Sequence, residues 1–183
     1  MMNPLIDVNQ KKIVRLYGAF GAGLVFSMVP LWSAALVSAV LIAGVLVMAY
    51  VVRTDAEHGS LSENHMTFII RTIWIGSFLA LITTAAASVY FFKALDNTPL
   101  QPCADAILSL ASGMTDPAAM ERAIDNFMAM SCWTTYWQKN LMIFIIGGII
   151  AAGPILIYFI VRYVRGLTRA MKGYRVANPK AWF

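Results

Sequence analysis

Two cysteines and two histidines have the widest chemical repertoire in this sequence, but their spacing does not suit a metal or cofactor site. Cys103 and Cys132 have no histidine near them, so they supply half of a zinc site at best. His58 and His65 flank a polar loop and lie seven residues apart, too far from one another on a helix face for bis-histidine haem ligation. We therefore expect no cofactor and no metal.

The motifs of the common enzyme classes are also missing. The sequence has no Walker A loop, no G-x-G-x-x-G after a strand, no H-E-x-x-H and no nucleophile elbow. No Asp or Glu falls in the middle of an apolar run, which argues against a carrier built on intramembrane carboxylates. The sequence therefore predicts a protein that is not an enzyme.

The composition predicts an all-α membrane protein. Hydrophobic residues make up 60% of the 183 residues and charged residues only 13%, against roughly a quarter in soluble proteins. The apolar residues form runs long enough to cross a bilayer, which takes about 20 helical residues. We predict a single membrane domain, 1–183, with four transmembrane helices at about 13–30, 32–52, 66–92 and 141–161.

The first predicted span is the shortest. A continuous helix from Leu16 to Val52 would be about 55 Å long, so a tight hairpin around Pro30 is favoured. A re-entrant or tilted segment remains an alternative for this span, and an uncleaved helix is preferred to a signal peptide. Ser60 and Glu63 predict a capping box before the third span, and Pro154 predicts a kink in the fourth.

Small residues four positions apart predict helix packing at two places. Ala19 and Gly23 form one such pair in the first span, and Gly148 and Ala152 form another in the fourth. Small side chains let helix backbones approach closely within a membrane.

The basic residues predict the orientation. Four spans place both termini and the loop 53–65 on one side, together with eleven of the fourteen basic residues. By the positive-inside rule that side is cytoplasmic, so we expect a multi-pass protein of a bacterial inner membrane, with a basic cytoplasmic tail at 162–183. The net charge of +5 then reflects topology and contact with anionic lipids, and no nucleic-acid partner is expected.

The segment between the third and fourth spans predicts an amphipathic helical hairpin outside the membrane, at about 99–138. Its first helix runs from Ala104 to Ser112, and its second starts after Thr115 and reaches about Ser131. The hairpin brings Cys103 and Cys132 together on the oxidising side, so we favour a disulfide over two free buried thiols. The same segment could instead lie flat in the interface.

An arginine-centred patch is the main candidate site. It combines residues at the start of the third span with residues at the end of the fourth: Glu63, His65, Arg71, Trp74, Arg162 and Arg165. Clustered basic groups at the inner leaflet could bind a phospholipid head group or the acidic segment of a partner. The interpretation favoured for Arg71 is that it extends to the interface and pairs with Glu63 or a lipid phosphate to fix helix depth.

Residues 63–76 of this patch, ENHMTFIIRTIWIG, resemble a motif of a family of small uncharacterised bacterial membrane proteins, S-H-F-x-x-x-I-R-T-F-W-x-G. Residues 157–167, IYFIVRYVRGL, resemble the W-Y-x-x-R-x-x-x-G-L helix exit of the same family. The sequence departs from the motif at Met66 and Ile73, which replace aromatic residues, and in its long cysteine-bearing outer segment. In topology the family is distantly similar to the channel subunit of the chloroplast inner-envelope translocon.

Two functions fit these predictions. The first is an accessory or scaffold subunit, not an enzyme, in which small-residue helix faces and the outer segment dock onto other subunits of a larger membrane complex. The second is a translocation or transport component that forms a pore with partners or as a homo-oligomer. The absence of a charged residue at mid-membrane favours the scaffold.

Overall fold

The computed structural model describes residues 4–113 and 131–182, and every regular element within these ranges is helical. The helices are α1 (Pro4–Ser27), α2 (Trp32–Thr54), α3 (Leu61–Ala94), a short 3-10 helix (Thr98–Leu100), α4 (Gln101–Gly113) and α5 (Ser131–Met171). The prediction of an all-α fold is confirmed for this part of the chain.

Three of the described helices, α2, α3 and α5, are long and apolar enough to cross a membrane. This is compatible with the predicted membrane protein. The first helix does not meet the same criterion because Lys11, Lys12 and Arg15 occupy its middle turns. The longest uncharged stretch of α1 is residues 16–27, which is shorter than the roughly 20 residues that a bilayer requires.

The first two helices form the hairpin predicted around Pro30. The connection covers residues 28–31, and Leu31 precedes α2 in an extended conformation, with φ −121° and ψ 135°. The hydroxyl of Ser38 donates a 2.8 Å hydrogen bond to the carbonyl of Gly23. A Cβ on Gly23 would touch Ile42, so this glycine permits the close approach of α1 and α2.

The third helix begins with the predicted Ser60 cap. The backbone N–H of Glu63 donates to Oγ of Ser60 at 3.2 Å. The Glu63 carboxylate accepts a hydrogen bond from the backbone N–H of Gly59 at 2.6 Å, whereas in a capping box it would accept from the N–H of Ser60. With this cap, α3 begins at Leu61, five residues before the predicted span.

The last helix is longer than the sequence predicted. It extends ten residues beyond each end of the predicted span 141–161, so the first part of the predicted tail is helical. It ends in a Schellman motif at Gly173, which has a φ of +69°. The N–H of Gly173 donates to the backbone carbonyl of Ala170 at 3.0 Å, and the N–H of Tyr174 donates to the backbone carbonyl of Arg169 at 2.9 Å.

The chain forms two compact units. Unit 1 comprises Met1–Ile82 and Pro154–Phe183, and unit 2 comprises Thr83–Gly153. The buried core of unit 1 joins α1, α2, the start of α3 and the end of α5, and it includes Ile13, Tyr17, Phe20, Val45, Ala49, Met66, Phe68, Ile69, Ile70, Ile73, Ala170 and Val176.

The predicted outer hairpin is described in part. Its first helix corresponds to α4, which begins at Gln101, three residues before the predicted Ala104, and is described as far as Gly113. Its predicted second helix, after Thr115, falls in residues 114–130, outside the described residues. Residues 131–138, which were predicted to complete the hairpin, are the first turns of α5.

Candidate functional site

A buried polar cluster lies within unit 1, where the basic residues concentrate. It contains His65, Asn64, Thr72 and Arg162 from α3 and α5, and it contacts the chain segment 172–182, called here the C-terminal segment. Two of the fully buried polar side chains of unit 1, His65 and Arg162, contact this segment directly. We therefore take the cluster as the candidate site.

His65 is fully buried and uses both ring nitrogens. Its Nε2 lies 3.0 Å from the carbonyl oxygen of Tyr174, and its Nδ1 lies 3.2 Å from the hydroxyl of Tyr17. Because a carbonyl can only accept, Nε2 carries the hydrogen and, in the neutral ring, Nδ1 accepts from Tyr17. His65 therefore has no nitrogen left for a metal or a ligand.

Tyr17, which contacts His65, is packed between the His65 ring and Gly166 of α5. The rings of Tyr17 and His65 pack edge to face, with centroids 5.8 Å apart. On α5, a Cβ on Gly166 would overlap the Tyr17 side chain, so glycine is what allows α5 to approach α1 here. Gly166 is the only residue in the sequence that indicates this contact. A glycine in an apolar helix does not show which side chain packs against it, so the contact with Tyr17 was not predicted.

The side-chain amide of Asn64 forms two hydrogen bonds with the backbone of the C-terminal segment. Its side-chain amide donates to the carbonyl of Val176 at 3.1 Å, and its side-chain carbonyl accepts from the N–H of Val176 at 2.8 Å. Val176 is 1% exposed, so this paired bond satisfies backbone groups that water does not reach.

Among the described residues, Arg162 is the largest fully buried side chain, with 1% of its surface exposed. Its Nε donates to Oγ1 of Thr72 at 2.9 Å, and its Nη1 donates to the carbonyls of Ala181 and Trp182 at 2.6 and 3.2 Å. The guanidinium also lies over the ring of Phe68, 4.1 Å from the centroid. These contacts disperse the charge over carbonyl dipoles and an aromatic face.

Among the carboxylates whose side chains the structure describes, none pairs with Arg162. The two other arginines of the patch, Arg71 and Arg165, interact electrostatically with Arg162 and add positive charge to its surroundings. Its Nη2 atom is buried and has no hydrogen-bond partner within the same ranges. Of the three arginines in the predicted patch, Arg162 is buried and the other two are partly exposed.

The other predicted patch residues have different surroundings. The carboxylate of Glu63 lies 3.2 Å from Nδ1 of His58, which is in the loop before α3. Trp74 is 59% exposed and donates from its indole nitrogen to the hydroxyl of Tyr50 at 3.0 Å. Neither residue forms part of the buried cluster around Arg162.

The predicted packing pairs also differ from one another. Ala19 packs against the core of unit 1 and Gly23 packs against α2. Gly148 has open space around its Cα, and Ala152 is exposed. In unit 2 the close approach is made by Gly147, where a Cβ would overlap the ring of Phe91.

Unit 2 contains the predicted cysteine pair and an ion pair that the sequence analysis missed. Cys103 and Cys132 form a disulfide, with Cα atoms 6.5 Å apart. Asp96 lies 2.7 Å from Nζ of Lys139 and accepts from the N–H and hydroxyl of Thr98. Hydrogen bonds from Lys139 and Thr98 lower the pKa of Asp96 well below its usual range.

Asn140 fixes the same end of α3. Its side-chain carbonyl accepts from the N–H of Asp96, and its side-chain amide donates to the carbonyl of Asp96, both at 2.9 Å. Asn140 is fully buried, and its amide also donates to Tyr136 at 3.0 Å. It therefore holds the chain after α3 against α5, as Asn64 holds the C-terminal segment.

Compared with known proteins, the chain matches no family model, no curated protein and no solved structure. Its own geometry is therefore the basis for a function. Among the described residues there is no group of three or more His, Cys, Asp or Glu that could bind a metal ion. The cluster's nitrogen and oxygen atoms serve chiefly to hold the C-terminal segment in place.

Proposed function

We propose that this protein is an accessory or scaffold subunit, without enzymatic activity, of a larger complex in a bacterial inner membrane. The observation that carries the proposal is the burial of Arg162. Its guanidinium is occupied by Thr72 and by two carbonyls of the C-terminal segment. A pore-lining arginine would face water, whereas this one serves an internal contact.

The proposed topology has four spans, with both termini in the cytoplasm. The close packing of Gly23 against α2 supports a membrane location for the apolar half of α1. The orientation follows from the eleven basic residues on one side and the three on the other. The resemblance of residues 63–76 to a family of small bacterial membrane proteins supports the same assignment.

An open small-residue face on α5 supports the role as a subunit. Gly148 and Ala152 have the spacing that membrane helices use for close packing, and Gly148 meets no atom within 4 Å of an added Cβ. Ile145 and Ile149 beside them are exposed. This face offers another transmembrane helix a close contact.

Co-purification tests the proposal. The tagged protein, extracted in native-lipid particles from its own host, is expected to retain one or more other membrane proteins at fixed stoichiometry. Gly148→Leu fills the open face and should lower their recovery. Gly44→Leu is the matched control, because Gly44 on α2 also meets nothing within 4 Å.

A transport function predicts the opposite pattern. The purified chain alone would then conduct ions or solutes in liposomes, and Arg71→Ala would change that flux. Such a flux would contradict the proposed scaffold role. Equal recovery of partners by the two glycine variants would contradict the proposed role of the α5 face.

A further inference from the structure

A groove opens in unit 1 between α1, α2 and the loop that follows α2. Its volume is about 800 Å³, within the range typical of small-molecule sites. Leu16 and Ala19 of α1 and Met48 and Val52 of α2 are among the residues that line its apolar part. From Lys12 to Ala19 the groove follows α1 for about 10 Å, which is long enough to accommodate part of an acyl chain.

Charges of both signs lie at the polar end of this groove. Lys12 and Arg15 come from α1, and Asp55 and Glu57 come from the loop after α2. All four side chains are exposed. Within the described ranges, none of them forms an ion pair. The groove thus presents cations and carboxylates that are available to a ligand.

We propose that this groove binds an aminophospholipid of the adjacent leaflet. Lys12 and Arg15 contact its phosphate, Asp55 and Glu57 bind its primary ammonium, and an acyl chain lies along the apolar part. The inference requires the membrane location but not the scaffold role, so either can fail without the other.

The charge pattern selects this head group over its alternatives. A purely anionic head group would meet the two carboxylates Asp55 and Glu57, which repel it. A trimethylammonium group has no N–H to donate, whereas a primary ammonium has three. Charge-assisted hydrogen bonds to carboxylates are stronger than contacts that lack a donor.

Native mass spectrometry of the full chain in detergent tests the proposal. The probes are phosphatidylethanolamine, phosphatidylcholine and phosphatidylglycerol with identical acyl chains. We expect phosphatidylethanolamine to bind about fivefold more tightly than the other two. Soluble phosphoethanolamine should compete weakly because it lacks the chain that fills the apolar part, and equal competition would contradict the proposed acyl contact.

Two double variants separate the contributions of the charges. Lys12→Gln with Arg15→Gln should weaken binding of both phosphatidylethanolamine and phosphatidylglycerol. Asp55→Asn with Glu57→Gln should weaken phosphatidylethanolamine alone and abolish its advantage. All four side chains are exposed, so the variants should fold, as elution volume and thermal unfolding will verify.

Lys172→Gln with Asp105→Asn is the control, since both residues are exposed and lie outside the groove. It should leave the lipid preference unchanged. The proposal is overturned if phosphatidylglycerol binds at least as tightly as phosphatidylethanolamine, if the carboxylate variant keeps the wild-type preference, or if the control variant loses as much binding as the groove variants.

Discussion

The Nε atom of Arg162 donates a 2.9 Å hydrogen bond to Oγ1 of Thr72, which joins α5 to α3 inside unit 1. Thr72 donates its own hydroxyl hydrogen to the carbonyl of Phe68 at 2.7 Å, so its oxygen is oriented to accept from Arg162. A buried cation is thereby accommodated by neutral acceptors. The same guanidinium binds the C-terminal segment, so one side chain connects three parts of the chain.

Arg162→Met should destabilise unit 1 by about 2–4 kcal/mol, because the stem is kept while the buried acceptors lose their donor. Arg162→Lys should rescue little, since a single ammonium cannot reproduce the guanidinium fork. Thermal unfolding in detergent gives the loss, and limited proteolysis should show release of the C-terminal segment. Arg165→Met, at a partly exposed position, is the control, and equal stability of the two methionine variants would refute the structural role of Arg162.

Tyr17→Phe should lower the free energy of unfolding by about 1–2 kcal/mol, because it leaves Nδ1 of the buried His65 without a hydrogen-bond donor. Tyr50→Phe removes an exposed hydrogen bond to Trp74 and should cost much less. Chemical unfolding of the two variants measures the difference. If both lose the same stability, the hydrogen bond between Tyr17 and His65 contributes nothing beyond a surface contact.

Gly166→Ala and Gly76→Ala should each destabilise by about 1–3 kcal/mol, since the added Cβ would overlap Tyr17 in the first case and Phe159 in the second. Gly18→Ala and Gly44→Ala are the matched controls, because an added Cβ meets nothing there within 4 Å. Thermal unfolding of the four variants distinguishes overlap from a general effect of alanine. Equal melting temperatures across the set would contradict the close helix contacts.

The ion pair of Asp96 with Lys139 should make unit 2 sensitive to acid. The folded protein lowers the pKa of Asp96, so the carboxylate stabilises the fold above its unfolded pKa of about 3.9, and this contribution is lost as pH falls toward the folded pKa. Between about pH 5 and pH 3, the wild type should therefore lose more thermal stability than Asp96→Asn does. Asp105→Asn, at an exposed residue of α4, is the control and should behave as the wild type. Parallel curves for the wild type and Asp96→Asn would exclude the ion pair as a source of stability.

The disulfide should stabilise unit 2 and be absent after reduction. Cys103 and Cys132 are 29 positions apart, and closing a loop of this size contributes about 3–4 kcal/mol in the chain-entropy model. Unfolding with and without reductant, compared with Cys103→Ser and Cys132→Ser together, measures this contribution. Labelling of either cysteine by a maleimide in unreduced cells would show that the bond does not form.

The sequence predicted the features that depend on local patterns. The Ser60 cap, the turn at Pro30 and the cysteine pair all follow from residue types at fixed spacing. The length of α5 was underestimated because the prediction followed the apolar run 141–161, whereas the helix extends into the polar residues on either side and continues through Pro154. A proline removes only one hydrogen bond, and neighbouring helices can compensate for it in a membrane.

The buried cluster could not be predicted in the same way. His65 and Arg162 were both identified, but as surface ligands, because the C-terminal segment that covers them lies more than a hundred residues from His65. No local pattern shows that Asn64 pairs with Val176. Such contacts depend on tertiary structure, so the sequence identified the residues of the cluster but not their role.

The mass of the intact complex, measured after extraction in native-lipid particles, tests the proposed subunit role most directly. The proposal predicts particles that contain this chain and at least one different membrane protein at fixed stoichiometry, and predicts that Gly148→Leu shifts the mass toward the chain alone. Particles that contain only copies of this chain, with a mass unchanged by Gly148→Leu, would contradict it.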